Sequence, residues 1–301
     1  MLQLKNPTVS LAYVMLVIVM LLWASGIVAS RGVYELVPPV GFSFWRWLCA
    51  AAIMTPLAAL QTWQLRSYLR ERLWLIVMLG FFMAWGSTAI VVAVQYTSAT
   101  NVALVSASQP IVTALIAWIL VKDRLTLRQI LGVLAATTGV VGMIARFDLS
   151  IVSSLSFNPG DAVMLLSVTG YALYAVNLHR WVADVGALVM MYLTCLGVLA
   201  VLFPLYVAES IWVETMKFDR SVIMATLYLA AIPTLLATIM WNVSVGVVGP
   251  NRATIFTNLL PVFGIALAVL FLSESLRAHH VIGGALVCAG ITLVIKRDAR
   301  T

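Results

Sequence analysis

Residues Asn101–Ile144, NVALVSASQPIVTALIAWILVKDRLTLRQILGVLAATTGVVGMI, align without a gap on Arg252–Ile295, RATIFTNLLPVFGIALAVLFLSESLRAHHVIGGALVCAGITLVI, at an offset of 151 positions. Pro110 falls on Pro261, Asp123 on Glu274, Leu125 on Leu276, Gly132 on Gly283 and Gly139 on Gly290. Each copy reads as an apolar span with a mid-span proline, a short turn opening acid-x-Leu, then a glycine-studded apolar span. In a chain this apolar, such a repeat predicts a membrane fold of two related halves around a shared centre.

The composition agrees. At 63% hydrophobic, 10% charged and a mean hydropathy of +1.05, the chain lies far from soluble domains, which carry roughly a quarter charged residues. Runs such as Leu11–Ser30 carry no charge over a length that crosses a bilayer, about 20 residues. The net charge of +7 is no nucleic-acid signature, because the basic residues sit in short loops and act as topology determinants. Cys49, Cys195 and Cys288 each lie in a different apolar span, which predicts packing residues and neither disulfides nor a metal site. Lys5 ahead of an apolar run resembles a signal peptide, but that run is nearer a membrane span in length than a signal core.

Hydropathy predicts ten spans, at 10–31, 41–61, 73–95, 100–121, 127–145, 160–179, 187–207, 222–246, 252–272 and 278–296. The polar stretch RFDLSIVSSLSFNPG at 146–160 divides the chain at its midpoint. The expected organisation is therefore 1–146 and 160–301 as two five-helix halves, with 147–159 as linker. Ten spans put both ends on one side. The loops of that side hold Lys5, Arg66, Arg70, Arg72, Lys122, Arg124, Arg128, Arg180, Arg252, Lys296, Arg297 and Arg300, against Arg31, Arg146, Lys217, Arg220 and Arg277 on the other. The bias predicts cytoplasmic termini. Because five is odd, the second half enters the membrane from the opposite side, so the repeat is expected to be inverted. An inverted pair supplies two nearly equivalent conformations, as alternating access requires.

Several segments together resemble the EamA family of the drug/metabolite transporter superfamily. They are Val94-Gln-Tyr-Thr-Ser-Ala-Thr-Asn-Val-Ala, the following Ser-Gln-Pro and Val-Lys-Asp-Arg-Leu-Thr, Trp241-Asn242, Asn258-Leu-Leu-Pro-Val-Phe and Leu272-Ser-Glu-Ser-Leu. Trp23-Ala-Ser-Gly, Arg46 and Tyr171-Ala-Leu-Tyr fit the same pattern, and the resemblance covers essentially the whole chain. It implies an all-α fold of ten helices, inverted five-helix repeats and a central cavity. It also implies export of small metabolites, amino acids or their derivatives, through a bacterial inner membrane.

A mid-span proline frees a backbone carbonyl and bends the helix, so Pro110 and Pro261 read either as static kinks or as pivots facing the cavity. Pro204 and Pro233 have no twin at the 151-residue offset and read as structural. Asn101, Ser106, Ser108, Gln109, Thr254, Thr257 and Asn258 surround the paired prolines. Polar groups in a span face protein or a wet cavity, as packing contacts or as substrate ligands. Trp63, Trp74, Trp181 and Trp212 fit interfacial anchoring, whereas Trp23, Trp85, Tyr174 and Trp241 fall deeper. The candidate substrate-contacting set is Trp23, Trp85, Tyr96, Asn101, Ser106, Gln109, Tyr171, Tyr174, Trp241, Asn242, Phe256 and Asn258, a wall suited to an amphipathic small molecule. Arg46, about five residues into the second expected span, either snorkels to the surface or pairs with a carboxylate from a loop or a substrate. The paired glycines of the fifth and tenth spans (Gly132, Gly139 and Gly142; Gly283, Gly284 and Gly290) read as close-packing scaffold.

No Asp, Glu or His falls mid-span, with His179, His279 and His280 at expected span ends, so proton coupling through a buried carboxylate is not expected. The sequence shows no Gly-x-Ser-x-Gly elbow and no metal-ligand spacing, which argues against an intramembrane enzyme. No filter motif of a channel is visible either. No cofactor is expected. The expected partners are a small-molecule substrate and the bilayer, with the chain a monomer or, alternatively, an oligomer.

Overall fold

The computed structural model describes residues 7–33, 36–97, 99–148, 150, 158–272 and 275–296. Among these the regular structure is helical: α1 (Val9–Arg31), α2 (Pro39–Gln64), α3 (Arg66–Arg70), α4 (Leu73–Tyr96), α5 (Ala99–Ser106), α6 (Gln109–Val121), α7 (Leu127–Ala145), α8 (Pro159–Val185), α9 (Ala187–Trp212) and α10 (Arg220–Leu229). A π-helical turn, Ala230–Leu236, joins α10 to α11 (Ala237–Val248). There follow α12 (Pro250–Thr254), a 3-10 turn at Ile255–Asn258, α13 (Leu259–Leu272) and α14 (Ala278–Ile295). The positions of Glu274 and most of the expected linker lie outside the described residues.

Local chemistry sets these boundaries. Thr126 and Gln129 form a capping box at the start of α7, and Asn158 and Asp161 form one at the start of α8, which satisfies otherwise orphaned backbone donors. Gly186, at φ +82°, ends α8 at Val185, six residues beyond the expected end. His179 and Arg180, expected to flank a span, therefore lie within the helix. His179 Nδ1 sits 2.9 Å from the Val245 carbonyl oxygen.

Nine helical stretches among the described residues are long and apolar enough to cross a membrane. The ninth expected span, 252–272, is interrupted: the 3-10 turn separates α12 from the 14-residue α13. The fourth is broken as well, between α5 and α6. The two breaks share a cause. Pro110 cannot donate to the Ser106 carbonyl four residues back, nor Pro261 to that of Thr257. Nearby hydroxyls then turn back on the chain, Ser106 to Val102 O and Ser108 to Val105 O at 2.6 Å each, Thr254 to Pro250 O at 2.9 Å and Thr257 to Thr254 O at 2.7 Å. Pro110 and Pro261 are thus not mid-helix kinks. Each stands in the first turn of a fresh helical segment, where a missing N–H leaves nothing unpaired.

The helices pack in a defined set of pairs. α7 lies on α14, α4 on α8, α1 on α11, α2 on α9, α6 on α8, α1 on α13, α4 on α9, and α2 on α10 and the π turn. The α7–α14 seam is close, for want of side chains. A Cβ placed on Gly139 would stand 2.5 Å from the Gly283 carbonyl oxygen, and one on Gly132 2.7 Å from that of Gly290. These crossings make the two helices antiparallel and put Gly132, Gly139, Gly283 and Gly290 at the contact, whereas Gly142 lies against the Phe147 ring and Gly284 has only ordinary contact with Val262. On the far side of the bundle the Glu209 carboxylate of α9 accepts the Val40 and Gly41 N–H groups at 3.0 and 2.6 Å. It thereby caps α2, whose own N-cap residue, Pro38, offers no side-chain acceptor.

Candidate functional site

Several aromatic rings and buried amides lie in the core. Trp23 of α1 stacks obliquely on Trp241 of α11, with ring centroids 5.2 Å apart. The Trp23 indole N–H donates to the Pro233 carbonyl at 3.0 Å. The widened π turn presents that carbonyl, and it approaches α1 closely because residue 26 is glycine: a Cβ there would lie 2.8 Å from the Pro233 ring. Deep indoles need such a partner, and Trp23 has one.

Deeper in the core, the Tyr174 hydroxyl donates to Asn242 Oδ1 at 3.2 Å and lies 3.3 Å from the Thr194 hydroxyl. One side chain from each of α8, α9 and α11 is thereby joined. Asn242 is fully buried and its amide nitrogen has no hydrogen-bond partner. Asn258, at the junction of the 3-10 turn and α13, is in the same condition, as is the hydroxyl of Thr113 on α6.

Arg46 of α2 is half-buried. Its guanidinium carbon lies 5.8 Å from the centre of the Trp47 ring, and its Nε is enclosed without a partner. The Tyr171 ring rests on Gly86 of α4, where a Cβ would meet it at 3.0 Å.

The two ends of the bundle differ. At the end where α1 begins and α14 finishes, Tyr13 stacks on Phe256, centroids 5.8 Å apart. There Asn251 Nδ2 also donates to Asp123 Oδ2 at 2.8 Å, joining the α6–α7 turn to α12. At the opposite end Asp161 of α8 accepts from Thr97 at 2.6 Å, from Asn101 Nδ2 at 3.0 Å and from the Asn158 backbone N–H at 3.0 Å. That clasp ties the start of α8 to the α4–α5 junction, within one layer of the bundle.

The expected residues therefore separate. Trp23, Tyr171, Tyr174, Trp241, Asn242, Phe256 and Asn258 lie in or against the central core. Gln109 opens α6 at the break. Asn101 is buried in the end clasp, and Ser106 is spent on the Val102 carbonyl. Trp85, 41% exposed, stacks on the equally outward Phe81, and Tyr96, 64% exposed, ends α4. Neither is brought to the centre. Tyr13, Thr113 and the Asp123–Asn251 contact were not signalled by the sequence, since a tyrosine near a span end reads as an anchor and turn polars read as solvated. A small void of about 30 Å³ among Leu75, Leu79, Trp181 and Met190, with Tyr68, Arg72 and Thr194 also on its wall, is about the size of one water.

The match to known proteins follows this geometry. The profile described as "EamA-like transporter family" matches residues 10–145 and 158–296. The chain belongs to the EamA-like transporter family. The EamA-like match spans both sides of the expected linker. Similar EamA-like relatives include the uncharacterized transporter YyaM of Bacillus subtilis (strain 168), 27% identical over 84% of this chain and 83% of its own length. The uncharacterized transporter YetK of the same organism is 26% identical over 95% and 87%. An uncharacterized transporter of Archaeoglobus fulgidus is 24% identical over 96% and 99%. A solved crystal structure superposes with a TM-score of 0.76 at 19% identity, covering 95% of this chain and 96% of its own, which shows a shared fold. This EamA-like chain is accordingly a multi-pass membrane protein of transporter type.

Proposed function

We propose that the chain is a secondary carrier that moves small amphipathic metabolites, amino acids or their derivatives, outward across a bacterial inner membrane by alternating access. The pattern of helix pairs carries this reading. Exchanging α1 with α8, α2 with α9, α4 with α10–α11, α5–α6 with α12–α13, and α7 with α14 carries most of the principal packed pairs into one another, while α8 also packs on α11 without an α1–α4 counterpart among the closely packed pairs. The pair α1–α11 becomes α8–α4, α1–α13 becomes α8–α6, and α4–α9 becomes α2 with α10 and the π turn. The self-paired α7–α14 and α2–α9 lie on the exchange axis. This supports two inverted halves, 1–146 and 160–301, whose broken members stand opposite one another. Broken helices near mid-membrane are where such carriers hold substrate.

The loop-charge bias supports cytoplasmic termini, and the Tyr13–Phe256 and Asp123–Asn251 contacts then form the barrier on the cytoplasmic side. The remaining central residues, Trp23, Gln109, Tyr171, Tyr174, Trp241, Asn242 and Asn258, line the proposed route. Two measurements test the reading. Radiolabelled counterflow in proteoliposomes across an amino-acid panel should saturate, show trans-stimulation and fall in Trp23→Ala and Gln109→Ala. Linear, unstimulated flux would mean a channel. Independently of any ligand, Gln109→Cys, in protein with Cys49, Cys195 and Cys288 replaced, should react with an impermeant thiol reagent from each side of the membrane. Reaction from one side alone would overturn alternating access.

A further inference from the structure

A hollow opens on the outside of the bundle where α6 runs into α7. Ala114, Leu115 and Trp118 of α6, Arg124 and Leu125 of the turn, and Ile130 of α7 line a groove of about 450 Å³, a volume on the scale of ligand sites. Positions 114, 115 and 118 share one face of a helix. Leu115, Trp118 and Ile130 are exposed, so the groove opens outward and not into the core. In a chain that crosses a membrane, lipid meets that surface. The wall is apolar along α6 and α7 and ends, at the turn, in a single cation.

The surroundings of Arg124 leave that cation to a ligand. Its neighbour in the chain, Asp123, accepts from Asn251 Nδ2 of α12 at 2.8 Å, and among the described residues Arg124 itself forms no ion pair. Arg128, one turn further on, is spent on the Leu293 carbonyl at 3.1 Å. The repeat isolates the groove further. At the 151-residue offset Trp118, Lys122 and Arg124 fall on Val269, Ser273 and Ser275, although both copies keep the acid-x-Leu turn. The repeated fold therefore requires neither the indole nor the cations. A topology signal requires charge in the loop, but it has no use for a groove or a tryptophan beside that charge.

We propose that the α6–α7 groove holds one phospholipid with an anionic headgroup. The phosphate meets the Arg124 guanidinium in a charge-assisted pair. The Trp118 indole, apolar in body and a donor at its N–H, suits the ester region of a lipid. One acyl chain then lies along Leu115, Ala114 and Ile130. A zwitterionic headgroup would bring an ammonium against Arg124, with the adjacent acid already engaged by α12. The loop-charge bias puts this end of the bundle at the cytoplasmic face, whose leaflet carries anionic lipid. The site goes beyond the carrier reading and does not depend on it.

Native mass spectrometry of the purified full chain tests this. The protein is released from micelles holding equal amounts of phosphatidylglycerol and phosphatidylcholine with the same acyl chains, and the lipid that stays bound is counted. Wild type should retain one phosphatidylglycerol in preference to phosphatidylcholine. Arg124→Gln should lower that adduct about fivefold, the effect of one basic residue at a charged lipid surface. Trp118→Leu should lower it about two- to tenfold, as for one lost hydrogen bond. Arg70→Gln removes an exposed cation of α3, expected on the same face of the membrane but outside the groove, and should leave the adduct unchanged. Arg124 and Trp118 are surface residues, and a wild-type Tm in detergent checks that their variants fold. A wild type without preference for the anionic lipid overturns the proposal, as does an undiminished adduct in both groove variants or an equal loss in Arg70→Gln. So does a dimer that Trp118→Leu dissociates, which would give the groove to a second copy of the chain.

Discussion

The α7–α14 seam and the broken pair α5–α6 and α12–α13 come from the same duplicated stretch of sequence, yet they are built on opposite principles. The seam is continuous, with glycine against carbonyl at two levels and no room for a Cβ at either. The broken pair is discontinuous, and its backbone irregularities are absorbed by four hydroxyls. It carries buried polar atoms that lack partners, the Asn258 amide nitrogen and, on α6, the Thr113 hydroxyl. Buried polar groups without partners are costly to keep. Such atoms occur on the broken segments and, among the described residues, not on α7 or α14, and under the proposed carrier reading the breaks are the region whose surroundings change.

Substitutions can break that contrast. The largest expected effect is at the seam. Gly139→Leu drives a side chain into the Gly283 backbone and should cost about 3 kcal/mol, read as a large fall in the Tm of the detergent-solubilised protein or as loss of monodisperse protein. A stable, active Gly139→Leu would remove the scaffold role. Next is the core link between the two regions. Tyr174→Phe withdraws the donor to Asn242 Oδ1 and leaves that buried amide with neither end bonded, an expected loss of about 1–3 kcal/mol in the same thermal measurement. Smallest in stability are the breaks themselves. Pro110→Ala and Pro261→Ala restore an N–H that can reach the Ser106 and Thr257 carbonyls. They should shift stability by no more than about 1 kcal/mol while slowing counterflow severalfold. If the proline variants transport at the wild-type rate, the breaks are static features.

What the sequence revealed follows the same divide. The seam was legible because glycine spacing on a helix translates directly into a face, and Gly132, Gly139, Gly283 and Gly290 all landed on it. The prolines were legible as irregularities but not as helix starts, because the side-chain hydroxyls that reroute the backbone act only once the chain is folded. Depth was readable where direction was not. Trp85 lies well inside a span, but α4 is apolar on all sides, so nothing in its sequence distinguishes a residue facing the centre from one stacked on Phe81 at the periphery. Asn101 was expected to meet substrate, and its partner Asp161 sits 60 positions later. Pairings at that separation, like Tyr174 with Asn242, are products of the tertiary arrangement and leave no periodic trace.

The Glu209 carboxylate has a consequence for biosynthesis. It closes the open backbone donors at the start of α2, and it is synthesised 168 residues after Gly41. During translation the second helix therefore enters the membrane with an end that only a later segment completes. The glycine face of α7 likewise waits for α14, which is made later in the chain. Neither half can be finished before the other arrives. Expression of the two halves from separate genes should yield stable protein only when both are made together.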